Sequence, residues 1–217
     1  MSARSQLSIT TPADSYDLIS LSDVKDDWGI SVATDDAFLS RSISRCSQAA
    51  AQFCNRVFPV ETVVESFEVE RDTQPMMNFG GVDPLQLTRW PIQTIGPVVE
   101  GTGAGAVTLA LSADYLLDAA RGFLIRLDGD GNPKNWPAKQ TSVTYAAGFP
   151  SIPLDIQDAV SRMVWTRYAE RKRDPFIKRQ RVYGVEEVEY VDQKNDGNLS
   201  SDISDILDNY RVPVVAR

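Results

Sequence analysis

Residues 143–160, VTYAAGFPSIPLDIQDAV, hold two kinds of structure joined at a break. Val143, Thr144 and Tyr145 suit a β-strand. Gly148, Pro150 and Pro153 then interrupt the chain, and Asp155 opens a helical pattern. LDIQDAVSRMVWTRYAERK places Ile156, Ala159, Val160, Met163 and Val164 on one face, with Pro153 and Asp155 as the start. Such a switch is expected where a chain leaves a β region and returns to a helical one.

Upstream, TDDAFLSRSISRCSQAAAQFCNRVF predicts the longest helix, ended by Pro59. Thr34 or Asp35 can cap it, and Leu39, Ile43, Cys46, Ala50, Phe53, Cys54 and Val57 form one apolar stripe. The helix beginning near Pro153 is expected to pack on that stripe. DLISLSDVKDDWGI adds a short helix with Ser22 as N-cap and Gly29 as its stop. Residues 1–17, rich in Ser, Thr, Asp and Pro, read as a flexible arm.

Between the two long helices the punctuation is that of a β region. ETVVESFEVE alternates as a half-buried strand does, and LQLTRWPI, TIGPVVE, AVTLALS, YLLDAARGFLIRL and TSVTYAAG are short apolar runs divided by turn residues. Five to seven antiparallel strands are expected. The fold class is therefore α+β: a small helical bundle with an inserted antiparallel β-sandwich or half-barrel and an extended C-terminal tail. The expected boundaries are an arm at 1–17 and a core at 18–174, in which helices at 18–58 and 153–173 flank a β insertion at 59–148. The tail is 175–217. It carries few apolar residues before SSDISDILDNY, where Ile203, Ile206, Leu207 and Tyr210 share one helical face, so it reads as a segment that packs on something else.

Composition narrows the chemistry. The 217 residues are 42% apolar and 24% charged, as in ordinary globular proteins. A formal charge of −8 opposes broad binding to nucleic acid. Histidine is absent, which removes the commonest near-neutral acid/base and metal ligand. Cys46 and Cys54 lie eight residues apart on one helix, roughly 12 Å by helical rise, too far for a disulfide. They read as core residues of a protein kept in a reducing cytoplasm. No signal-peptide pattern and no run of membrane-spanning length occurs, so no membrane partner is expected.

Three motifs have plainer readings. DGDGN, Asp128 to Asn132, begins like a calcium loop, but Pro133 and Lys139 stand where a glycine and a bidentate glutamate are needed. A hairpin turn accounts for it better. GTGAG, Gly101 to Gly105, lacks the rest of any phosphate-binding fingerprint and reads as a loop between strands. Trp90, Trp136 and Trp165 are scattered, as core and contact residues are. No catalytic residue, metal ligand or cofactor is assigned. RYAERKRDPFIKRQR, residues 167–181, holds seven Lys or Arg against two acids, and is either a solvated helix end or a docking patch for an acidic surface.

The order of these pieces resembles the head-to-tail connector proteins, the adaptors or head-completion proteins, of tailed bacteriophages and gene transfer agents. The likeness runs from LISLSDVKDDWGISVATDDAFLSRSISRCSQAAAQFCNRVF through LTRWPIQTIGPVV and the Tyr115 to Leu127 hairpin. It is strongest at VTYAAGFPSIPLDIQDAVSRMVWTRYAERKRDP and closes at ISDILDNYR, covering about residues 18–211. The N-terminal arm and the Gly101 to Gly105 loop depart from the pattern.

The resemblance implies a virion structural protein and no enzyme. It implies a ring, commonly of twelve copies, docked on the portal protein at the capsid vertex after DNA packaging. Such a ring is a platform for stopper or tail proteins and lets DNA through its channel without specific binding. Its place is the virion neck, after synthesis in the host cytoplasm. The family's C-terminal grip on the portal points to Arg171, Lys172, Arg173, Lys178, Arg179 and Arg181, then Ile206, Leu207, Tyr210 and Arg211. An acidic channel wall, with Asp114, Asp118 and Asp128 as candidates, would repel passing DNA. Rival readings are a tail-side joining protein, either stopper or tail terminator, and a ligand-binding or hydrolytic β module.

Overall fold

The structure, a computed structural model, describes residues 3–69, 82–137, 139–171, 179–182, 186–189 and 200–212. For 3, 4, 69, 179–182 and 186–189 only the backbone is described. The elements run β1 (Ala3–Thr11), α1 (Leu21–Trp28), α2 (Asp36–Phe53), β2 (Glu61–Val69), β3 (Leu85–Gln86), β4 (Ile92–Glu100), β5 (Val107–Leu109), β6 (Tyr115–Asp118), β7 (Phe123–Leu127), β8 (Pro133–Lys134), β9 (Gln140–Ala147), α3 (Leu154–Glu170), β10 (Arg179–Val182), β11 (Glu186–Glu189) and α4 (Ser201–Asp208). This is the expected α+β class, with antiparallel sheets that stay open among the described residues.

The chain folds as two units. Among the described residues, the β unit takes those up to 15 and those within 57–151, and the helical unit takes those within 16–56 and 152–212. In sequence, the main segment of the β unit therefore lies between two segments of the helical unit, and the β unit also takes in β1. Its main sheet has the order β1-β2-β9-β4-β5, and a second has the order β3-β7-β6 with β8 beside β7. Side chains from both sheets meet in one core that includes Val63, Phe67, Leu87, Leu124, Val143 and Tyr145. Trp136 is buried there and donates its indole N–H to the Leu124 carbonyl at 3.2 Å. Trp90 packs against the same core.

The N-terminus corrects the sequence reading. Residues 3–11 are a strand, not a flexible arm, and pair with β2 in unbroken register from Ala3↔Val69 to Ile9↔Val63. The polar composition of RSQLSITT hid an alternation in which only Leu7 turns towards the core. An edge strand needs little apolar surface, because its backbone bonds to a neighbour on one side and water serves the other.

The break at 148 has a steric cause. Gly148 has φ +133, and a Cβ there would lie 2.3 Å from the Pro59 carbonyl oxygen. The Gly148 N–H donates to the Pro91 carbonyl at 2.9 Å and Phe149 N–H to the Phe58 carbonyl at 2.7 Å. The segments entering and leaving the β unit cross here backbone against backbone, and only glycine lets them come so close.

In the helical unit, α3 packs on α2, with Ile156, Ala159, Val160 and Val164 of α3 and Leu39, Ile43, Cys46 and Ala50 of α2 all buried. Met163, expected on the inner face, is half-buried, and Ser161 is buried instead. The Ser161 hydroxyl donates to Asp27 at 2.7 Å and accepts the Trp28 indole N–H at 2.9 Å, so this position of α3 is taken up by α1. Trp28 stacks on Trp165 with ring centroids 4.6 Å apart. Both cysteines are free and buried.

Helix ends differ in detail from the sequence reading. Ser20, not Ser22, caps α1 by accepting the Asp23 N–H at 3.1 Å, while the Ser22 hydroxyl hydrogen-bonds to that of Ser20. Gly29 does stop α1, at φ +62, with its own N–H and that of Ile30 closing on the Asp26 and Lys25 carbonyls. α2 follows a 3-10 turn at Ala33–Asp35 and stops at Phe53, well before Pro59. Asn55, at φ +48, turns the chain out of the helix.

Candidate functional site

The residues expected to grip a partner fall into three groups. Lys172, Arg173 and Lys178 lie outside the described residues. Arg179 and Arg181 belong to β10, whose register sets them opposite Glu189 and Glu187 of β11, so basic positions face acidic ones across the ribbon. The rest lie on α4 or just past the ends of α3 and α4, and have partners inside the helical unit.

Arg171, one residue past α3, forms an ion pair with Asp35 and lies over the Phe38 ring at 4.8 Å. Tyr168, one turn earlier, donates to the other oxygen of Asp35 at 2.8 Å, and that hydrogen bond holds its hydroxyl pKa above the usual value. Arg171, the first of the six basic candidates, is therefore an internal clasp between the end of α3 and the start of α2.

α4 is likewise docked. Its amphipathic spacing puts Ile203 and Leu207, four residues apart, on one buried face. Ile206 is half-buried beside them. The Cys54 thiol donates to the Leu207 carbonyl at 3.4 Å, and the Val212 N–H donates to the Cys54 carbonyl at 2.9 Å. Burial drives the Cys54 pKa up to about 11. Around this apolar contact sit solvent-facing polar ones. Tyr210 donates to Asp155 at 2.9 Å, Arg162 pairs with Asp158 at 2.8 Å and Asp202 at 3.3 Å, and Arg211 lies over Phe53 at 5.3 Å. The expectation of a tail unable to bury itself fails for α4: two buried side chains suffice for a helix of eight residues when α3 lies alongside.

The β unit holds a polar cluster that the sequence reading missed. β2 buries Glu61 and Glu65 on the same face as Val63 and Phe67. Glu65 accepts the Tyr145 hydroxyl at 2.6 Å, the Thr88 N–H at 2.9 Å and the Thr88 hydroxyl. Glu61 lies 3.7 Å from the Arg89 guanidinium. Burial pushes the Tyr145 hydroxyl far above its usual pKa, and the Glu65 charge adds to it. The parity of ETVVESFEV was the available signal, since period two forces both glutamates onto the face of Val63 and Phe67. A carboxylate with three donors already converging on it is an anchor for the Thr88 segment.

The acids proposed for a channel wall have local roles. Asp114 accepts the Ala110 N–H at 2.8 Å and lies 3.6 Å from the buried Arg126, which also approaches Glu100 at 3.4 Å. Asp118 accepts the Arg121 N–H at 3.2 Å. Asp128 accepts the N–H groups of Asp130 at 2.9 Å and Asn132 at 2.8 Å, and the Asn132 bond leads in holding its carboxyl below the usual range. With Gly131 at φ +81, DGDGN is a turn folded around its own aspartate. Among the described residues no group of three or more His, Cys, Asp or Glu could hold a metal ion, and no helix is long and apolar enough to cross a membrane.

No protein-family model matches the sequence, and no curated protein does. Solved structures do match. A chain from the neck of an empty gene transfer agent particle, computed with C6 symmetry, superposes with a TM-score of 0.55 at 15% identity, covering 98% of each chain. A chain from the virion of a native gene transfer agent particle gives 0.54 at 15% identity, over 97% of this chain and 98% of the other. One from the neck of a native particle, computed with C12 symmetry, gives 0.50 at 16% identity, over 98% of both. Over nearly its whole length, the chain shares its fold with these components of gene transfer agent particles.

Proposed function

We propose that this chain is a virion structural subunit of the neck, a head-to-tail adaptor without enzymatic activity. It forms a ring, of twelve copies by the family resemblance, that docks on the portal protein after DNA packaging and offers a platform to stopper or tail proteins. The observation that carries this reading is the end-to-end likeness to chains of gene transfer agent neck and virion particles, in which both units are matched together. A shared sandwich alone would leave the helical unit unmatched. The net charge of −8 agrees with a channel through which DNA passes without adhering. Synthesis in a host cytoplasm fits the two free, buried thiols.

On this reading the basic run is the partner-facing grip, but its burden moves to Lys172, Arg173 and Lys178, since Arg171 is engaged with Asp35. Leu207 and Tyr210 act by holding α4 in place. The decisive experiment is co-sedimentation of the purified full-length chain with portal rings, beside the triple variant Lys172→Glu, Arg173→Glu, Lys178→Glu. Wild-type binding that the triple variant loses supports the adaptor reading. A wild-type chain that never sediments with portal rings overturns it and favours the tail-side joining proteins.

A further inference from the structure

The main sheet ends in two unlike edges. At one end β5 is only three residues long and meets β4 at Val98, Val99 and Glu100 alone, and β4 itself carries Gly96, Pro97 and two register shifts. Short strands, proline and bulges are the devices by which natural sheets prevent strand addition. β1, at the other end, has almost none of them. It is nine residues long, holds no proline and no lysine, and runs in unbroken register to Ile9, with one register shift at its end, between Ile9 and Thr11. Ser8, Ile9 and Thr10 are exposed in succession, so both faces of the strand reach solvent there, and Ile9 is 46% exposed. Among the described residues nothing pairs with its outer edge from Gln6 to Thr10.

The same chain carries a ribbon that lacks a sheet. β10 and β11 pair over four residues each and with no third strand among the described residues. A two-stranded ribbon of that length is marginal in water and gains stability when it joins a larger sheet. The charges fit: β11 contributes Glu186, Glu187 and Glu189, whereas β1 has Arg4 and no acid.

We propose that the outer edge of β1 accepts the β11 edge of the ribbon from a second copy of this chain. Each copy then gives one ribbon and receives one, a head-to-tail contact that closes by rotation into a ring. The inference rests on the ring reading above and specifies its subunit contact.

Cross-linking tests it on the full chain in the presence of portal rings. Two differently tagged variants are mixed, Thr10→Cys in one and Val188→Cys in the other, and treated with a flexible bis-maleimide that tolerates a slip in register. Cys46 and Cys54 are buried and stay silent. A cross-link between the two tags is expected, growing into a covalent ladder when both substitutions are placed in one chain. Ile9→Lys, which sets a charge on the exposed edge, should reduce ring assembly tenfold or more without changing the far-ultraviolet spectrum. A cross-link confined to single chains carrying both substitutions would overturn the proposal, because the ribbon would then serve its own β1. Rings that assemble with no cross-link between tags, or that tolerate Ile9→Lys, would overturn it while leaving the ring reading intact. Absence of rings and of cross-links in every sample would overturn both.

Discussion

Gly148 in the β unit and Tyr210 in the helical unit both hold a segment where the chain must stay, but the means differ. Around Gly148 the fixing groups are backbone, with the Pro59 carbonyl filling the space a side chain would need. Nearby Tyr145 and Glu65 form a hydrogen bond shielded from water, and Thr88 joins it from a half-buried position. At α4 the fixing groups are two buried side chains, Ile203 and Leu207, ringed by ion pairs and a tyrosine that face solvent. The difference teaches where the molecule can rearrange. Buried polar contacts and backbone crossings are lost only with the surrounding fold, whereas a short helix on two apolar anchors can leave by local opening. A partner that remodels this chain should act on α4 and spare the seam at 148.

The largest effect is expected from Gly148→Ala. Its Cβ would meet backbone, which cannot swing aside as a side chain can, and its positive φ disfavours any L residue. A loss on the order of 4 kcal/mol or more is expected, read as collapse of the thermal transition or of soluble yield. A stable Gly148→Ala protein would mean that the seam has slack and would erase the contrast with α4. Glu65→Leu should follow, because it leaves the Tyr145 hydroxyl and both the N–H and the hydroxyl of Thr88 without their acceptor. At about 1–3 kcal/mol for each orphaned group, roughly 3 kcal/mol in all is expected. Faster exchange of the Thr88 amide locates the damage, and Glu65→Gln, which keeps one acceptor oxygen, should cost about half as much.

The seam, the two long helices and the strand positions were legible because each rests on local rules: periodicity, breakers and caps. Gly29 stops α1 and Pro153 starts α3 by chemistry contained within a turn or two of sequence. What escaped was set by partners far along the chain. β1 becomes a strand because β2 lies beside it, from 54 residues later at Ile9↔Val63 to 66 residues later at Ala3↔Val69. Its own composition carries almost no β signal. The basic run was legible as a cluster of charge but not as a set of partners, since nothing near Arg171 in sequence announces Asp35, 136 positions away. The docking of α4 turns on Cys54 and Asp155, at separations of 153 and 55 residues, and no local pattern encodes such a pairing.

Leu207→Ala sharpens the comparison from the α4 side. Truncating a fully buried leucine costs about 2–5 kcal/mol, here against a single short helix, so α4 should detach while the β unit stays intact. Cys54 reports this directly. At pH 8 a thiol with a pKa of about 11 is ionised about one part in a thousand, and an ordinary one about one part in four. Alkylation of Cys54 should therefore accelerate by about two-hundredfold in Leu207→Ala, with no change in exchange at Thr88. An unchanged alkylation rate would show that α4 opens only with the rest of the helical unit.

Tyr210→Phe should have the smallest effect and is the finest test. The hydroxyl donates to both oxygens of Asp155 at 2.9 Å, and burial of the ring, with Asp155 beside it, raises its pKa above the usual value. Asp155 is exposed, however, so water replaces the lost donor, and the net loss should be about 0.5 kcal/mol. If α4 is held by its apolar anchors, this substitution leaves Cys54 alkylation within about threefold of wild type, the factor that 0.5 kcal/mol allows. A rate approaching that of Leu207→Ala would reverse the assignment. The tyrosine would then be the catch and the leucine only its packing, and release of α4 would become a matter of displacing one hydrogen bond at the surface.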